Sequence, residues 1–185
     1  MSVANSASGN KKSLATIWLD GCSGCHMSFL DIDERLLDLA AHMDLVYSPL
    51  VDRKDFPEHV DITLVEGSVS SEEDLHKIKL VRAHTQTLIS LGDCAVTGNV
   101  PSLRNPIGAD SVLRRAYLET DLINPMIPDQ VIPRLLPFVR PVHAVVNVNL
   151  YIPGCPPSAD TIFYALTELL AGRTPDLSSR TRFGK

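Results

Sequence analysis

No stretch of the 185 residues approaches the roughly 18 consecutive apolar side chains that a membrane-spanning helix needs, so membrane insertion is not expected. A basic excess is missing too. Seventeen Lys and Arg face 22 Asp and Glu, a formal charge of −5, which leaves no positive field to follow a phosphate backbone. Nucleic acid is therefore not an expected partner. The opening MSVANSASGNKK has no apolar segment behind its charge and no twin arginine, so no export signal is expected and a cytoplasmic location is. With neither a GxGxxG nor a Walker loop, this chain should not itself bind NAD or another nucleotide. Cysteine is scarce as well: four residues, in a chain whose 44% hydrophobic share can build an ordinary core without disulfide staples.

What is present is an alternation of strand and helix patterns. Ala15 to Asp20 (ATIWLD) reads as a buried strand ending at Gly21. Helical spacing follows through Phe29, Ile32, Leu36, Leu37 and Ala40, with Ser28 as a candidate N-cap. Leu45 to Val51 is an expected edge strand because of Pro49, and Asp61 to Glu66 (DITLVE) a third strand. Ser70 or Ser71 should cap a helix carrying Leu75, Ile78 and Val81, before Thr87 to Gly92 returns to strand. A loop from Cys94 to Ile107 precedes a short helix at about Asp110 to Leu118. Val142 to Ile152 is the expected last strand, and Ser158 opens a final helix to Leu170, stopped by Gly172. Such alternation implies an α/β fold with a doubly wound, mostly parallel sheet of about five strands in the flavodoxin-like order 2-1-3-4-5. Residues 1–14 are expected to be a flexible leader, 15–172 the domain and 173–185 a loose tail. Five of the 13 prolines fall between Asn124 and Pro141, a stretch that cannot be regular helix or central strand.

In an open parallel sheet, ligands bind beyond the C-terminal strand ends. All four cysteines are expected there: Cys22 and Cys25 past the first strand, Cys94 past the fourth and Cys155 past the fifth. Each lies in a glycine- or proline-rich turn, which suits close approach of backbone to an inorganic group. Four converging thiolates fit a [4Fe–4S] cubane, one thiolate per iron. Structural zinc, a redox dithiol at Cys22-x-x-Cys25 and inert core thiols remain open on spacing alone. Glu66, at the end of the third strand, is either a buried carboxylate facing that site or a partner, or a cap for the next loop. His26 reads as a partly exposed structural histidine or as a donor to the cluster; His42, His59, His76, His84 and His143 share no ligand spacing.

Five segments carry a resemblance: WLDGCSGCHMSFLD (18–31), VEGSV (65–69), GDCA (92–95), Asn105-Pro106 and IPGCPPSAD (152–160). In this order, over nearly the whole chain, they resemble the small subunit of [NiFe] hydrogenases. The spaced pair Cys22 and Cys25 differs from the adjacent cysteines of the related respiratory complex I subunit. With four cysteines the chain looks most like the small subunit of the cytoplasmic NAD-reducing, or bidirectional, type. The resemblance implies one [4Fe–4S] cluster on Cys22, Cys25, Cys94 and Cys155, the cluster nearest the nickel-iron centre. It also implies a large-subunit partner holding that centre, and diaphorase subunits holding FMN and further iron-sulfur clusters. Glu66 could have a proton-transfer or interface role. Gly21 stands where the uptake type commonly has a glutamate, and Asn99 where a second glycine is frequent.

Overall fold

The computed structural model describes residues 11–121 and 123–181. Its strands, in chain order, are β1 (Lys12–Trp18), β2 (Met43–Tyr47), β3 (Val60–Glu66), β4 (Val69–Ser71), β5 (Thr85–Leu91), β6 (Leu135–Arg140) and β7 (Leu150–Ile152). The helices are α1 (Gly24–Leu30), α2 (Leu36–Ala40), α3 (Glu72–His84), α4 (Gly92–Thr97), α5 (Ala109–Tyr117) and α6 (Ala159–Leu170). Five strands form one sheet in the order β2-β1-β3-β5-β7, with every pairing parallel. Numbered among themselves, these five run 2-1-3-4-5, the flavodoxin-like order anticipated from the alternation. The remaining two, β4 and β6, pair antiparallel as a separate ribbon.

A parallel sheet covered on both faces needs strands that are apolar throughout. The centre of β3 meets that need by sending alternate side chains to opposite faces. Ile62 and Leu64 join a core with Phe29, Ile162 and Leu166, while Val65 joins a second core with Ile17, Ile78 and Val81. Ile162 and Leu166 are one helical turn apart on α6 and fully buried, each contributing roughly 1.5–3 kcal/mol by leaving water. Among the described residues, no helix is long and apolar enough to cross a membrane.

Local expectations fail where long-range contacts take over. The first helix begins at Gly24, four residues ahead of Ser28, and breaks after Leu30, because Asp33 adopts a left-handed φ of 60°. The expected loop after Cys94 holds α4 and a 3₁₀ turn, Val100–Arg104. Only Leu150–Ile152 of the expected last strand is strand. Val142 is instead buried in the second core, with Val145, Val146 and Val148 packed against it, and the Asn149 side chain accepts the Leu88 N–H at 2.9 Å. Strand β1 starts at Lys12, ahead of the boundary expected at 15. Past Gly172, where a loose tail was expected, Leu177 is buried in the first core and the Arg180 guanidinium lies 3.9 Å from the Tyr164 ring centre. The leader expected at the start and the last four residues fall outside the described residues, apart from 11–14.

Asp61 ties β1 to β3: its Oδ2 accepts the Ser13 N–H at 2.8 Å and the Ser13 hydroxyl at 2.7 Å. Partial burial pushes its carboxyl up, but the Ser13 bonds, with Lys12 and His59 nearby, hold it below the usual carboxylate range. A depressed carboxylate stabilises the fold above its unfolded pKa, near 4, and that contribution fades as pH falls through the folded value. Asp61→Ala should cost about 1–2 kcal/mol at pH 7. Urea unfolding of both proteins should show the gap narrowing below pH 4; a gap that widens there would refute the account.

Candidate metal centre

Parallel register levels the strand ends. Trp18 pairs with Glu66, Glu66 with Leu91, and Leu91 with Ile152, so one row of residues crosses four strands. Cys22 follows this row by 22 − 18 = 4 residues, Cys94 by 94 − 91 = 3 and Cys155 by 155 − 152 = 3. The cysteines thus leave the same edge of the sheet. All four are free thiols; Cys25 is buried, Cys94 half-buried, and Cys22 and Cys155 are exposed.

The loops carrying them are stitched together. Asp93 donates its N–H to the Gly154 carbonyl at 2.8 Å, and Gly154 returns its N–H to the Asp93 carboxylate at 2.7 Å. The Ser28 hydroxyl donates to the Pro157 carbonyl at 2.5 Å, so Ser28 joins α1 to the Cys155 loop and is not a cap. Asp93 could have been suspected from its place between Gly92 and Cys94; nothing local in the sequence announces Ser28's partner, 129 residues away.

Glu66 organises the start of α1. Its side chain, 2% exposed, accepts the Cys25 N–H at 3.3 Å and the His26 N–H at 2.9 Å, and shares a hydrogen bond with His26 Nδ1. Of the two readings open in the sequence it is the buried, hydrogen-bonded carboxylate beside the cysteines; what it caps is the cysteine-bearing helix and not the next loop. His26 is 5% exposed, where a partly exposed residue was expected, and its Nε2 is buried without a protein partner. The other histidines lie elsewhere: His84 bonds the Glu58 carbonyl, and His143 meets the Tyr151 ring edge-on.

Burial and negative neighbours disfavour the thiolate at Cys25 and Cys94. Burial, then Glu66, then Cys94, Cys22 and Cys155 push the Cys25 thiol up. Burial and the neighbours Cys155 and Cys22 push Cys94 up against the pull of the Val100 N–H. A metal supplies the missing positive charge and keeps its thiols deprotonated. Among the described residues no group of three or more His, Cys, Asp or Glu could hold a single metal ion. Four thiols that feel one another without meeting at one point suit a group offering one iron to each. Room is kept by Gly92, at φ 81°, where an added Cβ would collide with Cys25 Sγ. The donor set and this cradle fit an iron-sulfur cubane.

Comparison with known proteins places the chain beside hydrogenase subunits. A family profile described as NADH ubiquinone oxidoreductase, 20 Kd subunit, matches residues 22–169. The NAD-reducing hydrogenase HoxS subunit delta of Cupriavidus necator is 44% identical over 91% of this chain and 83% of that protein. A subunit of the F420-non-reducing hydrogenase of Methanococcus voltae is 38% identical over 92% of this chain, which spans 60% of that longer protein. A crystal structure of an NAD+-reducing [NiFe]-hydrogenase in the H2-reduced state contains a chain that superposes with a TM-score of 0.90 at 39% identity. The match covers 94% of this chain and 99% of that one.

Glu66→Ala strips two amides and a ring nitrogen of their shared acceptor in a buried place. It should cost about 3–5 kcal/mol in chemical denaturation, with Glu66→Gln, which keeps one acceptor oxygen, costing less. Equal stability of the alanine variant and the parent would show that Glu66 does not hold α1.

Proposed function

The chain belongs to the NADH ubiquinone oxidoreductase 20 kDa subunit family, as a hydrogenase subunit, and from that premise we propose that it is the electron-relay subunit of an NAD-reducing [NiFe] hydrogenase. Cys22, Cys25, Cys94 and Cys155 hold one [4Fe–4S] cluster. It connects H2 oxidation at a nickel-iron centre in a large subunit with NAD+ reduction in diaphorase subunits that carry FMN and further clusters. The cluster domain takes in residues 15–172 together with the start of β1 at Lys12 and the packed Leu177 and Arg180, and the complex works in the cytoplasm. The observation that carries this reading is the row Trp18, Glu66, Leu91 and Ile152, beyond which the four thiols gather.

A cubane so held takes up and releases one electron at a time. The chain's own residues give it a fixed, partly dry seat. Glu66 holds the Cys25 end of α1, the bonds between Asp93 and Gly154 lock the Cys94 and Cys155 turns together, and the buried Cys25 side limits water. With four thiols committed to the cluster, none remains for nickel, so the hydrogen chemistry belongs to the partner.

The docking face lies around the same rim. Trp18, Met27 and Leu30 are exposed beside the Cys22 segment, and Met126, Ile132 and Phe138 are exposed in the proline-rich stretch. Within that stretch Val139 is buried and Leu136 packs on the second core, so the segment is anchored while its other apolar side chains face outward. Such a grouping is what a partner covers.

Two measurements test the reading. Cys155→Ser in the intact complex should remove this subunit's four irons and abolish H2-driven NAD+ reduction, while NADH oxidation with an artificial dye continues. Hydrogen-driven reduction in a variant shown to lack the cluster would overturn the relay. Limited proteolysis should cut residues 124–141 at least several-fold more slowly in the complex than in the isolated subunit; identical rates would sink the docking face.

A further inference from the structure

Asn99 joins α4 to the following 3₁₀ turn with φ 31° and ψ −126°, a conformation in which an L side chain is strained. Its backbone is pinned there, since its carbonyl accepts the Ser102 N–H at 3.2 Å and the Ser102 hydroxyl at 2.7 Å. The consequence of this placement is long-range: the side-chain Nδ2 points at Cys155 Sγ, 56 residues away, at 3.5 Å. The next residue bears on a second cysteine, for the Val100 N–H pulls the Cys94 thiol down. One turn therefore bears on two cysteines that arrive from different strands, with a side-chain donor on Cys155.

We propose that Asn99 is a positioning residue which holds Cys155 and, by donating its amide N–H to that sulfur, favours the reduced form of the group bound there. The inference rests on the cluster reading above. Reduction by one electron adds one negative charge to the cluster and its thiolates. A fixed donor on a thiolate stabilises the more negative state, and hydrogen bonds to the sulfurs are among the terms that set cluster potentials. Replacing the donor should make the cluster harder to reduce, and replacing it with an anion harder still.

Two variants separate charge from shape. Asn99→Gly removes the donor and tolerates the backbone angles, while Asn99→Asp keeps the size and the tolerance of positive φ but offers an acceptor. The intact complex is assayed for iron content, and the cluster's potential is read by a redox titration followed by electron paramagnetic resonance. Both variants should retain four irons on this subunit. The equilibrium constant for reduction should fall about tenfold in Asn99→Gly, equal to about 59 mV for a one-electron couple, and further in Asn99→Asp. Parental potentials in both variants, with iron retained, would overturn the role of Asn99 and leave the cluster reading standing. A parent protein without four irons on this subunit would remove the cluster reading itself. If Asn99→Asp loses iron, Asn99→Gly alone decides.

Discussion

The buried carboxylate of Glu66 stands where the sheet ends and the first helix begins, and the placing of the first cysteine pair, through Cys25, depends on it. A helix start leaves backbone N–H groups without partners, and they must be satisfied somewhere. Here Ser23, at the N-cap position, makes no side-chain cap bond, whereas Glu66 reaches across from β3 to accept from Cys25 and His26. Since α1 begins inside the Cys22 to Cys25 segment, satisfying its N-terminus also fixes where Cys25 sits relative to the sheet. The His26 ring closes the arrangement on the same carboxylate. Cys22 lies ahead of the helix, outside this clamp, and is exposed.

Parallel pairing supplies the second constraint. Strands running the same way with aligned register must send their following loops out over one edge. The order β2-β1-β3 reverses direction at β1, and the Cys22 segment emerges at that switch point. The turns after β5 and β7 come up beside it and are locked by the reciprocal bonds between Asp93 and Gly154. Convergence of residues 22, 94 and 155 is thus a property of sheet topology, with the hydrogen bonds of the turns setting the final approach.

Electrostatics makes the site one that a positive group would suit. Cys25 and Cys94 are pushed up by burial and by each other's neighbourhood, and the buried carboxylate adds to the negative side. What the protein offers in return is modest: the Asn99 amide donates to Cys155, and the Val100 N–H pulls the Cys94 thiol down. Iron would provide the charge that these donors cannot. An apolar surround of Trp18, Met27 and Leu30 is exposed in the isolated chain, which suits burial of the site by a partner.

Much of the architecture was legible in the residues alone. The apolar runs that became β1, β3 and β5 must be strands because only a sheet covered on both faces buries them continuously. The order of turns after those strands already placed the cysteines on one rim, and the Ser71 cap of α3 announced itself by its partner Asp74, three residues on. These signals are local or periodic, so a linear reading reaches them, except that it left Ser70 and Ser71 both open as the cap and the structure chose Ser71, with Asp74 as its partner. The start of α1 at Gly24, the true burial of His26 and the conversion of Val142 to Val148 from an apparent strand into packed turns were not legible. Each depends on a group far along the chain, such as Glu66 for α1 and Arg82 with Leu88 for Asn149. The same holds for Asn99, whose donor role exists only because Cys155 arrives from another strand. Periodicity and turn chemistry in the sequence determined which elements form and that four thiols share an edge. The tertiary structure alone decided which polar groups face those thiols, because a hydrogen bond between residues 40 or more positions apart leaves no repeating mark in the chain.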